Sequence, residues 1–490
     1  MKKIFSLIAF LFVAVLTAQD DKALVNSTVD FNEMKEQIYY LSSDELLGRD
    51  TGSEGIAMAA DYIIDALKKY GAKPAGTLDG FLQDVPLELV GAPKERLIKI
   101  NGLEYEDVLN FSGTEVSHTG TALFLGYGQE SDFEGVDASG KYVIFIAGSS
   151  EGQNPMQLFN EIETKINRAK NAGAAGVIEL APINPMVWGF LENNFNQERM
   201  KLAATDEDED EFTFIWLRDS EGDVSKSLDS GEETTVDVYF SGAEKRAIIC
   251  HNIVAMIEGT DPKLKHEYII YGAHYDHEGV GTPDATGDSI YNGARDNVVG
   301  SATLLQMAKN LGQHPTKRSA LFIFFTAEEK GLLGSNYYVN NPVLPLEDMV
   351  FLLNSDNAGY NDTSLITIFG LGRTTAGKHM EYGAKAFELT AIEDPAPEQN
   401  LFDRSDNVNF AQKGIPAPTF SMGFTAFDGN VLTYYHQPSD EADSLDFDYL
   451  FKFFRAYVMT GRLIANDAER PFWTEGDKYE AEGKALYGME

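Results

Sequence analysis

The chain has 490 residues, 43% of them hydrophobic and 11% aromatic, so it can bury large cores and is long enough for about two to four domains. Lys and Arg total 39 against 77 Asp and Glu, a net charge of −38, which argues against nucleic-acid and membrane-surface partners because both require clustered basic side chains. The single cysteine, Cys250, excludes an intramolecular disulfide and a cysteine-rich zinc module.

The first residues are typical of a secretory signal peptide. Lys2 and Lys3 precede an apolar stretch over residues 4–16, and the small residues Thr17 and Ala18 lead into a polar run. The apolar stretch is shorter than the roughly 20 residues needed to cross a hydrocarbon layer. We therefore expect cleavage after Ala18, which removes residues 1–18 and leaves a secreted or periplasmic protein without a membrane span.

Residues 31–75 predict helix at two places. The second helix begins after Ser53, which can cap it, and ends before Gly71. Apolar side chains at helical spacing form its buried face: Ile56, Ala60, Ile63 and Leu67.

The pattern of residue types changes over residues 96–245. Short β-type runs such as 122–125 and 142–146 are separated by glycines. A helical stretch over 159–172 leads through a glycine-bounded turn into a strand-like run at 177–180. This pattern predicts a small β-rich unit with at least one helix-to-strand return.

Six consecutive carboxylates occupy residues 206–211. Such a run is typical of a solvated loop whose charges repel one another. A calcium site is the alternative, although the run lacks the glycine and the spaced ligands of a calcium-binding loop.

From residue 246 onward, strands alternate with helices. The runs 267–271, 320–325 and 349–353 are of β type without alternation of polar and apolar residues, as in strands covered on both faces. A helical stripe that includes Ala302 and Leu311 lies between the first two. The pattern predicts an α/β fold with a mixed, mostly parallel sheet sandwiched by helices, whose ligands gather at the carboxyl ends of the strands.

Polar clusters follow these three strands. GAHYDH (272–277) follows the first, TAEEKG (326–331) the second and NSDN (354–357) the third. Two further clusters are NGARDN (292–297) and YYHQP (434–438). Because carboxyl ends of parallel strands meet at one edge of a sheet, we expect these side chains to come together.

The residue types predict a centre that binds two metal ions. Imidazole and carboxylate ligands suit a divalent ion such as Zn²⁺ without thiolates, and two adjacent ions need a bridging carboxylate. Asp276 could orient the imidazole of His274 by accepting its second ring N–H. The candidate ligands are His274, Asp296, Glu329, Asp356 and His436.

Adjacent side chains cannot bind one metal in the same way, so one member of the pair Glu328-Glu329 is free for proton transfer. We assign Glu329 to the metal and Glu328 as the general base. Taken singly, His274 or His436 is typical of a hydrogen-bonded structural histidine and Asp296 of a turn. The joint arrangement favours the metal centre, because uncompensated carboxylates close together are costly.

These motifs resemble those of the co-catalytic zinc aminopeptidases of the aminopeptidase Y and bacterial secreted leucyl aminopeptidase type. The resemblance covers nearly the whole chain. It rests on GAHYDHEG (272–279), NGARDNVVG (292–300), FTAEEKGLLGS (325–335), NSDNAG (354–359) and YYHQPSDEAD (434–443).

The resemblance implies a zinc exopeptidase fold of the phosphorylase/hydrolase-like kind and a catalytic Glu328. One zinc ion would take His274 and Asp356, and the other Glu329 and His436. Asp296 would bridge the two ions. Asp276 matches an aspartate that supports the zinc ligands, and Tyr435 stands where some members place a tyrosine that contacts the reaction intermediate.

The resemblance also covers the two other parts of the chain. Residues 41–53 are similar to the N-terminal segment of the family, and 96–245 to an inserted protease-associated domain acting as a lid. The implied division is a signal peptide at 1–18, a first part of the peptidase domain at 19–95, the insert at 96–245 and the main peptidase domain at 246–490. Asn407 departs from the histidine that many relatives carry in this loop, which puts a substrate contact there in doubt.

The expected function is that of a secreted dizinc aminopeptidase acting on peptides. A carboxypeptidase on the same centre would need a cationic grip, for which Arg295 and Arg404 are candidates. A binding protein on a peptidase scaffold and a one-zinc aminoacyl cyclase are further alternatives. Side-chain preference and oligomeric state are not visible in the sequence.

Overall fold

A computed structural model describes residues 20–111, 115–150, 158, 161–195, 198–203 and 212–489. The predicted signal peptide at 1–18 and the acidic run at 206–211 lie outside the described residues. No helix formed by the described residues is both long enough and apolar enough to cross a membrane.

The chain forms two compact units. One comprises residues up to Pro86 together with Ile249–Glu490, and the other is Leu87–Ile248. The second unit is therefore inserted in the sequence of the first. It begins nine residues before and ends three residues after the 96–245 expected from the sequence, and a strand runs through each boundary.

Twenty strands lie within the described residues. They are β1 Lys73–Pro74, β2 Leu82–Val90, β3 Glu95–Ile100, β4 Leu103–Tyr105, β5 Val108–Asn110, β6 Val116–Phe124, β7 Tyr142–Ile146, β8 Gly176–Ala181, β9 Arg199–Leu202, β10 Thr213–Arg218, β11 Glu233–Ser241, β12 Lys245–Ile257, β13 Tyr268–His274, β14 Gly279–Val280, β15 Ile290–Tyr291, β16 Ser319–Phe325, β17 Met349–Ser355, β18 Leu365–Phe369, β19 Thr390–Ile392 and β20 Thr419–Met422.

The α-helices, beyond a helical segment at residues 20–28, fall mostly in the first unit. They are α1 Phe31–Leu41, α2 Glu54–Lys69, α3 Ile162–Asn171, α4 Pro185–Phe195, α5 Asp223–Lys226, α6 Val299–Gln313, α7 Leu333–Asn340, α8 Gly377–Ala386, α9 Asn407–Gln412, α10 Gly429–Leu432, α11 Phe447–Asn466 and α12 Glu480–Tyr487.

The main sheet of the first unit has parallel strands at its centre. The strand β13 lies between β16 and β17 and is parallel to both, and β17 is parallel to β20. Outside this centre β12 is antiparallel to β16 and β18 is antiparallel to β20, whereas β19 is parallel to β18. The sheet is thus mixed, and the expectation of a mostly parallel sheet applies to the centre, where helical crossovers join the strands.

Alternate residues of one central strand enter two different cores. Phe322 and Phe324 of β16 pack with α2, α6 and α11 on one face, whereas Leu321, Ile323 and Phe325 pack with α7 and α9 on the other. All seven residues of β16 are buried. This two-sided burial explains why the strand has no alternation of polar and apolar residues.

The helix α2 follows the sequence prediction. The Ser53 side chain accepts a hydrogen bond from the backbone N–H of Ile56 at 3.3 Å, which satisfies one free donor at the helix start. Gly71 has φ = 87° just after the helix, a conformation that glycine adopts without strain.

The second unit has a mixed eight-stranded sheet in the order β4-β3-β11-β6-β7-β8-β10-β5. The four strands from β6 to β10 in this order are parallel. The helix α3 returns through Gly173 to β8, as the sequence predicted. Side chains of β7 alternate between two cores, with Val143 and Phe145 on one face and Tyr142 and Ile144 on the other.

Candidate metal centre

Three predicted site segments follow neighbouring parallel strands. His274 is the last residue of β13, Thr326 follows β16 and Asp356 follows β17. Because the order β17-β13-β16 makes these strands adjacent, their carboxyl ends place the three segments side by side.

Asp296 reaches the same place from the turn before α6. The residue before that turn, Gly293, has φ = 58°, and a Cβ there would lie 2.5 Å from Cδ2 of His277. Only glycine allows this approach. The Asp296 side chain is buried.

A carboxylate late in the chain holds this turn. Asp440 Oδ2 accepts hydrogen bonds from the backbone N–H of Arg295 at 2.8 Å and of Asp296 at 3.2 Å. Asp440 Oδ1 accepts from Nη1 of Arg295 at 2.8 Å. Since Asp440 comes four residues after His436, these bonds fix the His436 segment beside the Asp296 turn.

His274 faces two carboxylates. Its Nε2 lies 3.3 Å from Oδ1 of Asp296 and 3.3 Å from Oδ1 of Asp356. The ring is 1% exposed. These three side chains can hold one divalent ion.

His436 faces the other side of the same aspartate. Its Nε2 lies 3.2 Å from Oδ2 of Asp296 and 3.3 Å from Oε2 of Glu329. Each carboxylate oxygen of Asp296 therefore faces a different histidine. All five predicted metal-ligating residues come together at this site.

The spacing fits zinc. Ligand atoms about 2.0–2.1 Å from a tetrahedral ion lie about 3.3 Å from each other. The four histidine-to-carboxylate distances are 3.2 to 3.3 Å. They are longer than a charge-assisted hydrogen bond, which is about 2.7–2.9 Å.

The charge state of the shared aspartate suits a ligand. Burial by itself would raise the pKa of Asp296, but the imidazoles of His274 and His436 beside its two oxygens outweigh it and lower the pKa. The carboxylate therefore keeps its negative charge, which a metal ligand requires.

Asp276 is close to His274, but not in the predicted manner. Nδ1 of His274 lies 3.2 Å from the backbone carbonyl oxygen of Asp276 and 3.8 Å from its carboxylate. The carboxylate instead accepts from the backbone N–H groups of Glu328 at 3.2 Å and Glu329 at 3.3 Å and from the hydroxyl of Thr51 at 3.2 Å. It thereby fixes the backbone of the Glu-Glu pair.

Glu328 lines the cavity beside the ligands. Burial raises the pKa of its carboxyl well above the usual range, and the nearby Asp356 and Glu329 add to the shift. The group therefore holds a proton more readily than an ordinary glutamate, as a side chain that accepts and returns a proton must.

Tyr435 also lines this cavity. Its ring stacks on that of His436, with the centroids 4.1 Å apart. Burial raises the pKa of its hydroxyl, so the group stays protonated at neutral pH.

The sequence did not single out His277 or Arg49. His277 donates from Nδ1 to Oε1 of Glu329 at 2.6 Å. The buried Arg49 donates to the backbone carbonyls of Tyr275 at 3.0 Å and Asn292 at 2.7 Å, on either side of the site. His277 lies in GAHYDHEG and Arg49 in the segment 41–53, yet nothing in their spacing indicates these contacts.

The two arginines considered as binding groups for a substrate carboxylate differ in their surroundings. Arg295 is buried, pairs with Asp440 at 2.8 Å and lies 3.6 Å above the ring of Tyr434. It is already engaged within the protein. Arg404 lines the cavity that contains the metal-ligating residues.

This part of the chain is similar to a known family. Residues 252–460, which contain all five metal-ligating residues, match the model of peptidase family M28. We call this region the M28 domain, after the family that it matches. The resemblance seen in the motifs is confirmed for this region.

Curated relatives of the M28 domain carry aminopeptidase names. The chain is 26% identical over 276 residues to probable leucine aminopeptidase 2 of Aspergillus oryzae, covering 50% of this chain and 52% of the relative. It is 29% identical over 189 residues to aminopeptidase YwaD of Bacillus subtilis, with 37% and 38% covered. Aminopeptidase Y of Saccharomyces cerevisiae is 29% identical over 219 residues, with 39% and 36% covered. The matches thus span about half or less of each relative.

A solved structure shares the fold beyond the M28 domain. The aminopeptidase from Aneurinibacillus sp. strain AM-1 superimposes with a TM-score of 0.56 at 23% identity. The superposition covers 92% of this chain and 97% of that one. At this identity the likeness supports the mixed α/β fold.

Proposed function

We propose that the protein is a secreted dizinc metallopeptidase that removes N-terminal residues from peptides. One observation carries the proposal: the two carboxylate oxygens of Asp296 face His274 at 3.3 Å and His436 at 3.2 Å. A carboxylate shared in this way is the arrangement that two adjacent metal ions require.

The M28 domain would hold one zinc ion with His274, Asp356 and Asp296, and the other with His436, Glu329 and Asp296. Such ions supply a Lewis acid for the scissile carbonyl and lower the pKa of a bound water to about 7. The role of Asp276 is to position the Glu328-Glu329 backbone through the N–H bonds that its carboxylate accepts.

Glu328 acts as the general base. Its carboxylate takes a proton from the attacking water and passes it to the leaving amine nitrogen. Tyr435, protonated and in the same cavity, can donate a hydrogen bond to the oxygen on which negative charge develops.

The choice of an aminopeptidase rests on the names of the relatives and on Arg295. Because Arg295 is committed to Asp440 and stacked on Tyr434, it is not free to bind a peptide C-terminus. The carboxypeptidase alternative then depends on Arg404 alone.

Two parts of the proposal lie outside the M28 domain. The unit Leu87–Ile248 would be the protease-associated domain that the sequence resembles, placed in the chain as an insertion. Residues 1–18 would act as a cleaved signal peptide, so the mature enzyme acts outside the cytoplasm.

The test compares a free-amine peptide with its N-acetylated form. Purified protein should contain two equivalents of zinc and cleave the free-amine peptide faster. A chelator should remove both metal and activity, and added zinc should restore them. Faster cleavage of the acetylated peptide would favour a carboxypeptidase. One equivalent of zinc would favour a cyclase-like site. A protein that holds no metal and shows no turnover would favour a binding protein.

A further inference from the structure

The cavity beside the candidate metal centre has a volume of about 380 Å³. One wall is a chain of aromatic rings. Phe369 lies 6.4 Å from Phe424, Phe424 lies 4.8 Å from Phe427, and Phe427 lies 5.8 Å from Tyr435, measured between centroids. The last ring stacks on His436, so the aromatic wall leads directly to a metal-ligating residue.

Arg404 also lines this cavity, together with the aromatic wall and the carboxylates of the candidate metal centre. It ends a short 3₁₀ turn, Leu401–Arg404, and its side chain is exposed. The guanidinium forms no ion pair and no hydrogen bond with any described residue.

The acidic neighbour that could neutralise Arg404 is engaged elsewhere. Asp403 forms an ion pair with Lys478. It also accepts hydrogen bonds from the hydroxyl of Tyr479 at 3.1 Å and from Nδ2 of Asn400 at 2.9 Å. Acidic residues outnumber basic ones by 77 to 39 in this chain, yet Arg404 forms no ion pair with a carboxylate of the described residues. Its guanidinium is therefore available to a ligand.

We propose that Arg404 binds a carboxylate group of the substrate. This inference rests on the proposed function and extends it to a substrate class. A guanidinium binds a carboxylate through two parallel N–H bonds, and the apolar wall can pack against the methylene groups that carry an acidic head.

Two parts of a peptide can supply that carboxylate. One is the side chain of an N-terminal glutamate, whose two methylene groups suit the aromatic wall. The other is the free C-terminus of a short peptide. Either carboxylate would pair with the Arg404 guanidinium in the same way, and two pairs of substrates distinguish the two sources.

The experiment uses the full-length zinc-loaded protein and two substrate pairs. Glutamyl and glutaminyl p-nitroanilide differ only in side-chain charge, and Leu-Leu and Leu-Leu-amide differ only in a free C-terminus. Arg404→Gln removes the charge and Arg404→Lys keeps it without the two parallel N–H bonds. Arg246→Gln, at an exposed arginine of the second unit, is the matched control for net charge.

The expected result is a change in KM for one pair. Arg404→Gln should raise the ratio of KM between the acidic and the neutral member about tenfold, which corresponds to a charge-assisted hydrogen bond. Arg404→Lys should recover part of this effect, and Arg246→Gln should show none. The affected pair identifies the source of the carboxylate.

Calorimetry provides a readout that needs no turnover when every protein compared also carries Glu328→Gln, which suppresses cleavage of the peptides during the titration. If a glutamate side chain supplies the carboxylate, glutamate should bind more tightly than glutamine to the protein that keeps Arg404. If the free C-terminus supplies it, Leu-Leu should bind more tightly than Leu-Leu-amide. Arg404→Gln should remove the difference in either case. Cleavage of neutral substrates with unchanged ratios in Arg404→Gln would overturn this inference and leave the proposed function intact. Absence of turnover on every substrate would overturn the proposed function, and a binding difference that persists in Arg404→Gln would overturn this inference.

Discussion

His277 fixes the orientation of Glu329. Its Nδ1–H donates to Oε1 of Glu329 at 2.6 Å, and both side chains are buried. The second carboxylate oxygen, Oε2, is left facing Nε2 of His436 at 3.3 Å. One oxygen is thus anchored by the protein while the other is free for a metal ion, the arrangement that orients a ligand before the metal binds.

Replacing His277 with alanine should weaken metal binding. Without the Nδ1–H bond the Glu329 carboxylate can rotate, and loss of such a supporting partner typically lowers metal affinity about 10–100-fold. A zinc titration against a competing chelator measures the effect. The exposed His266 provides the control, as His266→Ala, which should retain both ions. Equal affinities in the two variants would contradict the role of His277.

Arg49 joins the N-terminal segment to two loops of the site. It donates to the carbonyls of Tyr275, Asn292 and Leu41 at 2.6 to 3.0 Å. Burial lowers the pKa of its guanidinium to about 10, although nearby carboxylates such as Asp276 and Asp296 oppose the shift. The group therefore stays charged and offsets part of the negative charge of the site.

Arg49→Met should reduce both stability and metal binding. It leaves buried carbonyl groups without donors, at a cost of about 1–3 kcal/mol for each unsatisfied group. Denaturant unfolding of the metal-free protein measures the loss of stability, and a zinc titration measures the site. Arg246→Met, at an exposed arginine, should change neither. An unchanged unfolding midpoint for Arg49→Met would show that the carbonyl bonds contribute little.

Glu328→Gln separates metal binding from proton transfer. The amide keeps the size of the side chain but cannot accept the proton, and loss of a general base typically lowers turnover about 10²–10⁴-fold. Metal analysis should still find both ions, because no ligand has changed. Hydrolysis at the wild-type rate would rule out Glu328 as the base.

Glu33 should make stability depend on pH in acid. Partial burial would raise the pKa of its carboxyl, but hydrogen bonds from Lys309, Lys69 and Tyr70 outweigh it and lower the pKa from 4.5 to about 2. The folded state therefore favours the charged form. Its contribution is present above pH 4.5 and is lost as the pH falls from about 4.5 towards 2.

A comparison of wild type with Glu33→Gln measures this contribution. At pH 7 the variant should be less stable by about 1 kcal/mol, a value kept small because solvent screens a partly exposed group. The difference in free energy of unfolding should shrink below pH 4.5. Glu36→Gln, on the same helix α1, is the control. A difference that stays constant down to pH 3 would contradict the lowered pKa.

Sequence patterns were most informative where burial repeats regularly. The run 320–325 predicted a strand covered on both faces, and β16 occupies Ser319–Phe325 with every residue buried. The helix after Ser53 was predicted from its cap and spacing, and α2 begins at Glu54. The polar residues that follow three apolar strands indicated the site, because parallel strands present their carboxyl ends at one edge of the sheet.

Details of side-chain pairing were not predictable. The sequence suggested that the carboxylate of Asp276 orients His274, whereas the carbonyl oxygen of Asp276 lies nearer, at 3.2 Å. Its carboxylate instead bonds the backbone of the Glu328-Glu329 pair. The choice between two acceptors on one residue depends on loop conformation, which carries no periodic signal.

The sequence by itself determined which segments carry ligating side chains and which strands are buried on both faces, because residue type and spacing reflect burial directly. Only the tertiary structure decided that His277 forms a hydrogen bond with Glu329. It also decided that Arg295 forms an ion pair with Asp440, whereas Arg404 lines the cavity. These outcomes depend on distances of a few ångströms between residues up to 145 positions apart, and such distances are set by how the loops pack.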